Sequence, residues 1–459
     1  MFQRCRKMKI VIVGMGKVGQ GLVRLLSAEN HDITVIDTDR MQVENAVNDY
    51  DVIGICGNGA SFSIQEEAGV SGCDVFIAVT GSDELNIMGC MVASKIGKAK
   101  TIARVRNTDY CEQLLFMQNK LGIDLLINPE FETAQALARI IEFPAAEKLE
   151  TFAKGRIELA EITVTEDSPL NGLYLRDVRQ TLSASLLVCA VQRGEEVFVP
   201  KGNFALQAGD RLHFSAARNQ LPIIFKNLGL QKKKIKSVLI VGGSRTAYYL
   251  ARELLKSGKK VKLIELDKNR AAILESSLEG VSIICGDGTD TELLAEEGLQ
   301  NFDASVALTQ IDEENIIFSM YAAKQGVGKT ACKVNRDPLA DMVTSMLEGC
   351  SVVCPKETTA SIILRYIRAT ENATAESVQT LYKILGGKAE AAEFIATEDS
   401  EVVGKPLKEL TLKSNLIIAC VSRKKEVIIP DGNTVIKPRD SVIVITAGTT
   451  PASLSEILE

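Results

Sequence analysis

The chain is predicted to be an α/β protein: two doubly wound parallel-sheet domains, each followed by a small α+β domain. Three observations predict this. From Lys9 to about Phe143 apolar strands alternate with amphipathic helical stretches, which is the pattern of a parallel sheet with helices on both faces. From about residue 155 the pattern changes to short alternating runs broken by turn residues, the mark of a small β-rich domain. The whole arrangement then occurs a second time, roughly 230 residues on. The expected boundaries are 8–142 and 235–370 for the parallel-sheet domains, and 143–230 and 371–459 for the small ones.

In the first domain, strands are expected near 9–13, 32–36, 51–55, 74–79, 100–105 and 123–127. The first of them, Lys9-Ile-Val-Ile-Val13, runs into Gly14-Met15-Gly16-Lys17-Val18-Gly19, after which Val18, Leu22, Leu25 and Leu26 repeat at helical spacing. A strand, three glycines and a helix make a Rossmann-type nucleotide turn. The first glycine allows the tight bend, the second lets backbone approach a pyrophosphate, and the third lets helix pack on strand. The phosphates would sit at a helix N-terminus, where unpaired N–H groups and the helix dipole favour an anion. Eighteen residues beyond Gly19, the run Ile33-Thr-Val-Ile36 delivers Asp37. A carboxylate there would accept hydrogen bonds from ribose hydroxyls and repel a 2′-phosphate, favouring NAD(H) or an adenine nucleotide over NADP(H). Asn58, Thr80 and the cation Arg104 also fall at strand ends, the edge at which such sheets bind ligands. Glu130 follows Pro129 at an apparent helix start; it reads as a partner of the helix dipole rather than a metal ligand.

The small domain is read from Ile157-Glu-Leu-Ala-Glu-Ile-Thr-Val164, Leu186-Leu-Val-Cys-Ala-Val191, Val197-Phe-Val-Pro200 and Gly209-Asp-Arg-Leu-His-Phe214. In the second copy Ser237-Val-Leu-Ile-Val241 leads into Gly242-Gly243-Ser244-Arg245-Thr246-Ala247, and eighteen residues later Lys262-Leu-Ile264 delivers Glu265. Asp287 answers to Asn58, Thr309 to Thr80, Asp312 and Asn315 to Asp83 and Asn86, and Lys333 to Arg104. Thr397-Glu-Asp-Ser400 and Pro430-Asp-Gly-Asn433 echo Thr165-Glu-Asp-Ser168 and Pro200-Lys-Gly-Asn203. A duplicated two-domain unit behaves as two fused subunits, so internal pseudo-twofold symmetry is expected. The second turn departs from the first. Ser244 and Ala247 replace two glycines, narrowing the approach to a phosphate, and Lys333 lacks the planar fork of Arg104. Tighter NAD(H) binding is therefore expected at the first turn.

Composition narrows the functional classes. The 459 residues, 46% of them apolar, suffice for several globular cores. No stretch has the roughly 18 continuous apolar residues of a membrane span, and Met1-Phe-Gln-Arg-Cys-Arg-Lys7 lacks the apolar core of a signal peptide; a cytoplasmic location is expected. A net charge of −6 gives no reason to expect nucleic acid as a partner. The one basic run, Lys232-Lys-Lys-Ile-Lys236, reads as a solvated linker. Eleven scattered cysteines read as reduced, mostly buried thiols. Only Cys350 and Cys354 lie close together in sequence, and with two histidines in the chain, His31 and His213, neither a zinc site nor a histidine-dependent enzyme is expected.

From Lys9 to the end the chain resembles the regulatory, peripheral subunits of Trk-type potassium uptake systems. The resemblance rests on Gly14-Met-Gly-Lys-Val-Gly19, Val35-Ile-Asp37, Ala68-Gly69, Ala78-Val-Thr80, Ser82-Asp83-Glu with Asn86, and Ile102-Ala-Arg-Val-Arg106. The parallel-sheet domains look like RCK (KTN) domains and the small ones like the RCK C-terminal domain. The resemblance implies a homo-oligomeric cytoplasmic gating ring docked on the inner face of the membrane, beneath a potassium-transporting Trk-type subunit. It implies binding of NAD(H), ATP or ADP, with ligand exchange altering ring shape and ion flux. By position, the contacts would be Gly14, Met15, Gly16, Lys17, Val18, Asp37, Asn58, Thr80 and Arg104 in the first half. In the second they would be Gly242, Gly243, Ser244, Arg245, Thr246, Glu265, Asp287, Thr309 and Lys333. Two other readings are carried forward. An NAD-dependent dehydrogenase would need a general acid or base that neither small domain offers, and a sensor whose ligand sits in the small domains would match family relatives that bind cyclic di-AMP.

Overall fold

The structure is a computed structural model that describes residues 7–28, 31–107, 110, 116, 120–146, 148–153, 156–230, 234–336, 339–340, 342–343, 350–371, 378–384, 389–424, 426–447, 451 and 453–459. Residues 1–6 of the amino terminus and Lys232 and Lys233 of the basic run lie outside the described residues; Lys234 is exposed. The chain divides into two compact units. The first comprises Met1–Ala138 with Lys236–Ile367, the second Arg139–Ile235 with Arg368–Glu459.

The first unit holds both parallel sheets. Strands β1 (Lys9–Val13), β2 (Asp32–Asp37), β3 (Ile53–Cys56), β4 (Val75–Ala78), β5 (Lys100–Arg104) and β6 (Leu125–Ile127) form one sheet in the order β3-β2-β1-β4-β5-β6, and their pairings are parallel. The order reverses at β1/β4, and a crevice opens at such a switch point beyond the strand ends. The expected strands form, but two begin two residues late. Val52 N–H bonds to the Tyr50 carbonyl, so β3 starts at Ile53, and Asp124 turns its carboxylate to Thr101 and Lys100, so β6 starts at Leu125.

The second unit holds both antiparallel sheets. β7 (Lys148–Phe152), β8 (Ile157–Thr163), β9 (Leu186–Arg193), β10 (Glu196–Phe198) and β11 (Arg211–Ala217) assemble as β10-β9-β11-β8-β7. The second parallel sheet, back in the first unit, is built from β12 (Ser237–Val241), β13 (Lys260–Glu265), β14 (Val281–Cys285), β15 (Ala304–Ala307), β16 (Lys329–Lys333) and β17 (Cys350–Val353), in the order β14-β13-β12-β15-β16-β17. β18 (Val378–Ile384), β19 (Ala389–Ile395), β20 (Leu416–Arg423), β21 (Glu426–Ile428) and β22 (Ser441–Thr446) close the chain as β18-β19-β22-β20-β21. Each sheet of the second half thus repeats its counterpart strand for strand. The antiparallel domains differ in their helices: the first carries Leu175–Thr181 and Leu221–Asn227, and the described residues of the second carry only the short 3-10 turns Leu407–Glu409 and Ser455–Ile457.

Within the first unit the two Rossmann halves exchange helices. Ala360, Ile363, Leu364 and Ile367, on the helix Pro355–Glu371 that ends the second half, join the core of the first half beside Leu22, Val23 and Leu26 of the helix Lys17–Ala28. In return, the start of the helix Pro129–Glu142, which ends the first sheet, meets the second half. The Phe131 ring lies edge-on to Tyr249 at 5.5 Å, and the Asn128 amide donates to the Tyr249 hydroxyl at 3.1 Å. Asn128 also caps that helix through Phe131 N–H. Each exchanged helix therefore rests on the helix that follows a glycine turn in the other half. Within the second unit, Phe152, Ile157, Leu159, Cys189 and Ala190 share a core with Ala389, Ala391, Ala419, Cys420 and Ile443, and Ser215 Oγ donates to the Ala419 carbonyl at 2.6 Å.

Ile363 is fully buried in the core of the other half. Ile363→Ala is expected to cost about 2–5 kcal/mol and to raise hydrogen exchange at the amides of β1 and β2, not only within its own half. Unchanged exchange in β1 and β2 would remove the structural tie.

Candidate functional site

Three strand ends meet at the first glycine turn. Gly14 has φ +98°, and a Cβ there would stand 2.8 Å from the backbone nitrogen of Thr80, so only glycine fits. Gly14 N–H bonds to the Ile36 carbonyl and Val79 N–H to the Val13 carbonyl, both at 2.8 Å. Asp37 closes the turn from the side: Oδ2 accepts Met15 N–H at 2.6 Å and Oδ1 accepts Asp39 N–H at 2.9 Å. The acid thus braces the loop through both oxygens, and a ribose would share their remaining lone pairs. The Met15 side chain is fully buried, whereas Gly16 and Lys17 are exposed and Val18 is half-buried. A Cβ on Gly16 would meet no atom within 4 Å. With no side chain at Gly16, nothing there competes for the first-turn N–H groups of the helix, which stay free for an anion.

The rest of the crevice rim is held by Asn86, a residue quoted above for its place in the repeat but given no role. Its buried amide accepts from Thr80 N–H at 2.8 Å and Thr80 Oγ1 at 2.7 Å, and donates to the Arg104 carbonyl at 2.9 Å. Asp83 likewise accepts from the N–H groups of Arg106 and Asn107. The Arg104 guanidinium donates to the Thr80 carbonyl, while its Nε is buried with no hydrogen-bond partner among the described residues. Burial, with Arg106 nearby, lowers the proton affinity of Arg104; Glu130 and Asp83 oppose that shift. A desolvated cation with an unpaired donor gains from an anion at this rim. Asn58 is exposed, and its side chain turns back to accept Ala60 N–H at 2.9 Å.

The second turn repeats the plan with substitutions. Gly242 has φ +93°, and a Cβ there would press on Thr309 N at 2.7 Å. Glu265 accepts Gly243 N–H at 2.5 Å through one oxygen and Asp267 N–H at 2.8 Å through the other. Ser244 and Ala247 alter what a ligand meets. Ser244 Oγ accepts Ala247 N–H at 3.4 Å and so occupies one of the donors a phosphate would use. At Gly19 a Cβ would fall 1.9 Å from the Gly14 carbonyl oxygen, yet Ala247 carries that methyl fully buried, so the second turn has to be wider. Arg245 is exposed and Thr246 buried. Arg270 Nε donates to the Gly243 carbonyl at 2.8 Å. Asp287, exposed, accepts Thr289 N–H and Oγ1, which hold its carboxyl below the ordinary range. Asn315 holds Thr309 N–H and the Lys333 carbonyl as Asn86 does in the first half. Burial lowers the proton affinity of Lys333, against Asp312 and Glu130.

Glu130 acts on the candidate cations of both halves, and its Oε2 is buried without a partner among the described residues. It does stand in the first turn of its helix, as expected, but its charge also reaches a cation of each half. Sequence carried no signal for that, because Lys333 is about 200 residues away in the chain. Among the described residues no cluster of three or more His, Cys, Asp or Glu residues is placed to hold a metal ion, and no helix is long and apolar enough to cross a membrane. His213 is buried on β11 with Nε2 3.3 Å from Glu161 on β8, closed to any substrate.

The first turn fits a nucleotide. It offers a cradle that side chains would fill, free helix-start donors and an orphaned guanidinium nitrogen. The second fits less well, since Ser244 takes a donor. Two such halves, each followed by a small antiparallel domain, define a tandem RCK-type chain. Comparison with known proteins agrees. Residues 10–129 and 238–354 match the TrkA-N domain, and residues 159–229 and 391–458 the TrkA-C domain. The Trk system potassium uptake protein TrkA homolog of Archaeoglobus fulgidus is 33% identical over 438 residues, covering 95% of this chain and 97% of that one. The Trk system potassium uptake protein TrkA of Vibrio alginolyticus is 31% identical over 444 residues, covering 95% of each. The chain belongs to the TrkA family. Among solved structures, the GsuK channel bound to NAD superposes with a TM-score of 0.63 at 17% identity, covering 97% of this chain and 78% of that one. The GsuK RCK domain does so with 0.62 at 18% identity, covering 98% and 94%.

The two glycines predict opposite outcomes. Gly14→Ala is expected to destabilise the first unit by roughly 1–3 kcal/mol or more, through strain at positive φ and the clash with Thr80, whereas Gly16→Ala should stay within about 0.5 kcal/mol. Denaturant titration of both variants checks the pair.

Proposed function

We propose that this chain is the nucleotide-sensing regulatory component of a potassium uptake system, acting by binding and not by catalysis. The observation that carries the proposal is the first crevice, where the open Gly14–Val18 turn, free helix-start N–H groups and the unpaired Nε of Arg104 converge. NAD(H), ATP or ADP would place its phosphates on Gly14, Met15, Gly16, Lys17 and Val18 and its ribose against Asp37, with Asn58, Thr80 and Arg104 at the rim. In the second half the counterparts are Gly242, Gly243, Ser244, Arg245, Thr246, Glu265, Asp287, Thr309 and Lys333. Binding should be weaker there, because Ser244 competes for the helix start and Lys333 cannot form a two-pronged contact. The partner would be a membrane-embedded, potassium-transporting Trk-type subunit, with copies of this chain forming a ring at the inner face of the membrane. The segments 8–142, 143–230, 235–370 and 371–459 would be its four domains.

The exchanged helices support a sensing role. A ligand shifts a conformational equilibrium only by its difference in affinity between states, and each crevice helix bears on a helix from the other half. Glu130, which acts on Arg104 and Lys333 alike, would let one crevice register charge at the other. On this reading Glu130→Gln preserves both binding events and weakens the effect of a ligand in one on affinity in the other.

Isothermal titration with NADH, NAD, ATP and ADP, repeated on Gly16→Val, tests the proposal. The valine has room in the turn but fills the phosphate approach, so the fold should persist while affinity at the first crevice falls about tenfold or more, roughly 1.4 kcal/mol. Undiminished NADH and ATP binding to Gly16→Val would move the ligand elsewhere. Asp37→Ala is a poorer probe, since it also unbraces the turn.

A further inference from the structure

The two Rossmann halves differ at one half-buried edge position that the nucleotide reading does not use. In the first half Asp124 lies beside β5, where Lys100 Nζ meets Oδ1 at 2.7 Å and Thr101 N–H meets Oδ2 at 2.9 Å. The matching pair in the second half is Lys329-Thr330 on β16, and the residue opposite Thr330 is Cys350 on β17. A cysteine therefore occupies a place built for an anion, with Lys329 buried beside it. The parallel register pairs Thr330 with Cys350 and Cys332 with Val352, which puts Cys332 on the same face as Cys350, one diagonal step away. Cys332 is fully buried, and Cys350 is partly exposed. Cys354, the neighbour in sequence, is four strand positions on, about 13 Å at roughly 3.3 Å per residue, and is out of reach.

We propose that Cys350 and Cys332 form a reversible redox pair, in which a peroxide oxidises Cys350 and Cys332 closes a disulfide between β16 and β17. The Cys350 thiolate attacks one oxygen of hydrogen peroxide; the O–O bond breaks, hydroxide leaves, and Cys350 becomes a sulfenic acid. The Cys332 sulfur then attacks the Cys350 sulfur, the S–OH bond breaks, and the hydroxide with the Cys332 proton leaves as water. In sum two thiols are oxidised and one peroxide is reduced to two waters. The division of labour follows from the surroundings. The neighbouring Cys332 thiol, with the Lys329 charge, lowers the proton affinity of Cys350, and the Cys350 interaction together with burial raises that of Cys332. The partly exposed Cys350 is thus the nucleophile and the fully buried Cys332 the resolving thiol. Since Cys332 precedes Lys333, the bond would also fix the strand bearing that candidate cation. This consequence rests on the function proposed above, whereas the disulfide does not.

The test treats the intact, reduced protein with hydrogen peroxide and maps it by non-reducing digestion and mass spectrometry, with no nucleotide present. The expected result is a cross-linked peptide joining Cys332 to Cys350, 2 Da lighter than the reduced pair and reversed by a dithiol. Cys332→Ser should stall at a Cys350 sulfenic acid that dimedone traps. Cys350→Ser should leave Cys332 unoxidised under the same treatment. Cys350→Asp, which copies the first half, should fold and form no cross-link. The proposal is overturned if exposed Cys56 and Cys285 oxidise while Cys350 stays a thiol, or if wild-type Cys350 proceeds to sulfinic acid without the cross-link. A change in NADH or ATP affinity on oxidation would read the consequence separately; cross-linking without such a change would leave the redox pair standing and sink only its link to the crevice.

Discussion

The carboxylate at the end of the second strand of each Rossmann half holds the turn on which the crevice depends. Asp37 ties the backbone of Met15 and Asp39 together, and Glu265 does the same for Gly243 and Asp267. Between those bonds the chain must reverse against the backbone of Thr80 or Thr309 with no room for a Cβ. Charge-assisted bonds to backbone N–H are stronger than neutral ones, so they suit a loop that packing alone leaves open. Strand ends, helix start and acid are set by one local arrangement, and Asn86 or Asn315 carries it across to the neighbouring strand.

The exchanged helices make the two halves one physical unit. A sheet face left open in one half is covered by Ile363 and its neighbours from the other, and Tyr249 of the second half receives Asn128 and Phe131 of the first. Packed interfaces of this kind deform little and transmit displacement. The duplication also freed the two halves to diverge. The first keeps three glycines and a guanidinium; the second has a serine cap, a buried methyl, a lysine and, at its edge, a thiol in place of a carboxylate. The shared plan thus carries unequal chemistry in its two halves.

Much of this was legible in the residues alone. Periodicity predicted both parallel sheets and both small domains, and the glycine turns with their acids marked the crevices. Other assignments needed coordinates. Asp37 and Glu265 read as ribose ligands, yet both oxygens of each also bond backbone. Cys350 was grouped with Cys354 by distance along the chain, whereas Cys332 lies diagonally across the strands from it on the same face. Glu130 read as a helix-dipole residue, and its electrostatic reach to both Arg104 and Lys333 was hidden because those cations belong to different halves.

By itself the amino-acid sequence determined what depends on short-range order: strand and helix period, the turns that need glycine, and the duplication that places equivalent groups at equivalent strand ends. Only the tertiary structure decided which helix covers which sheet, which donors stay unpaired at each crevice, and which cysteine faces which. Those outcomes depend on contacts between residues tens to hundreds of positions apart, where local pattern carries no information and packing selects the partner.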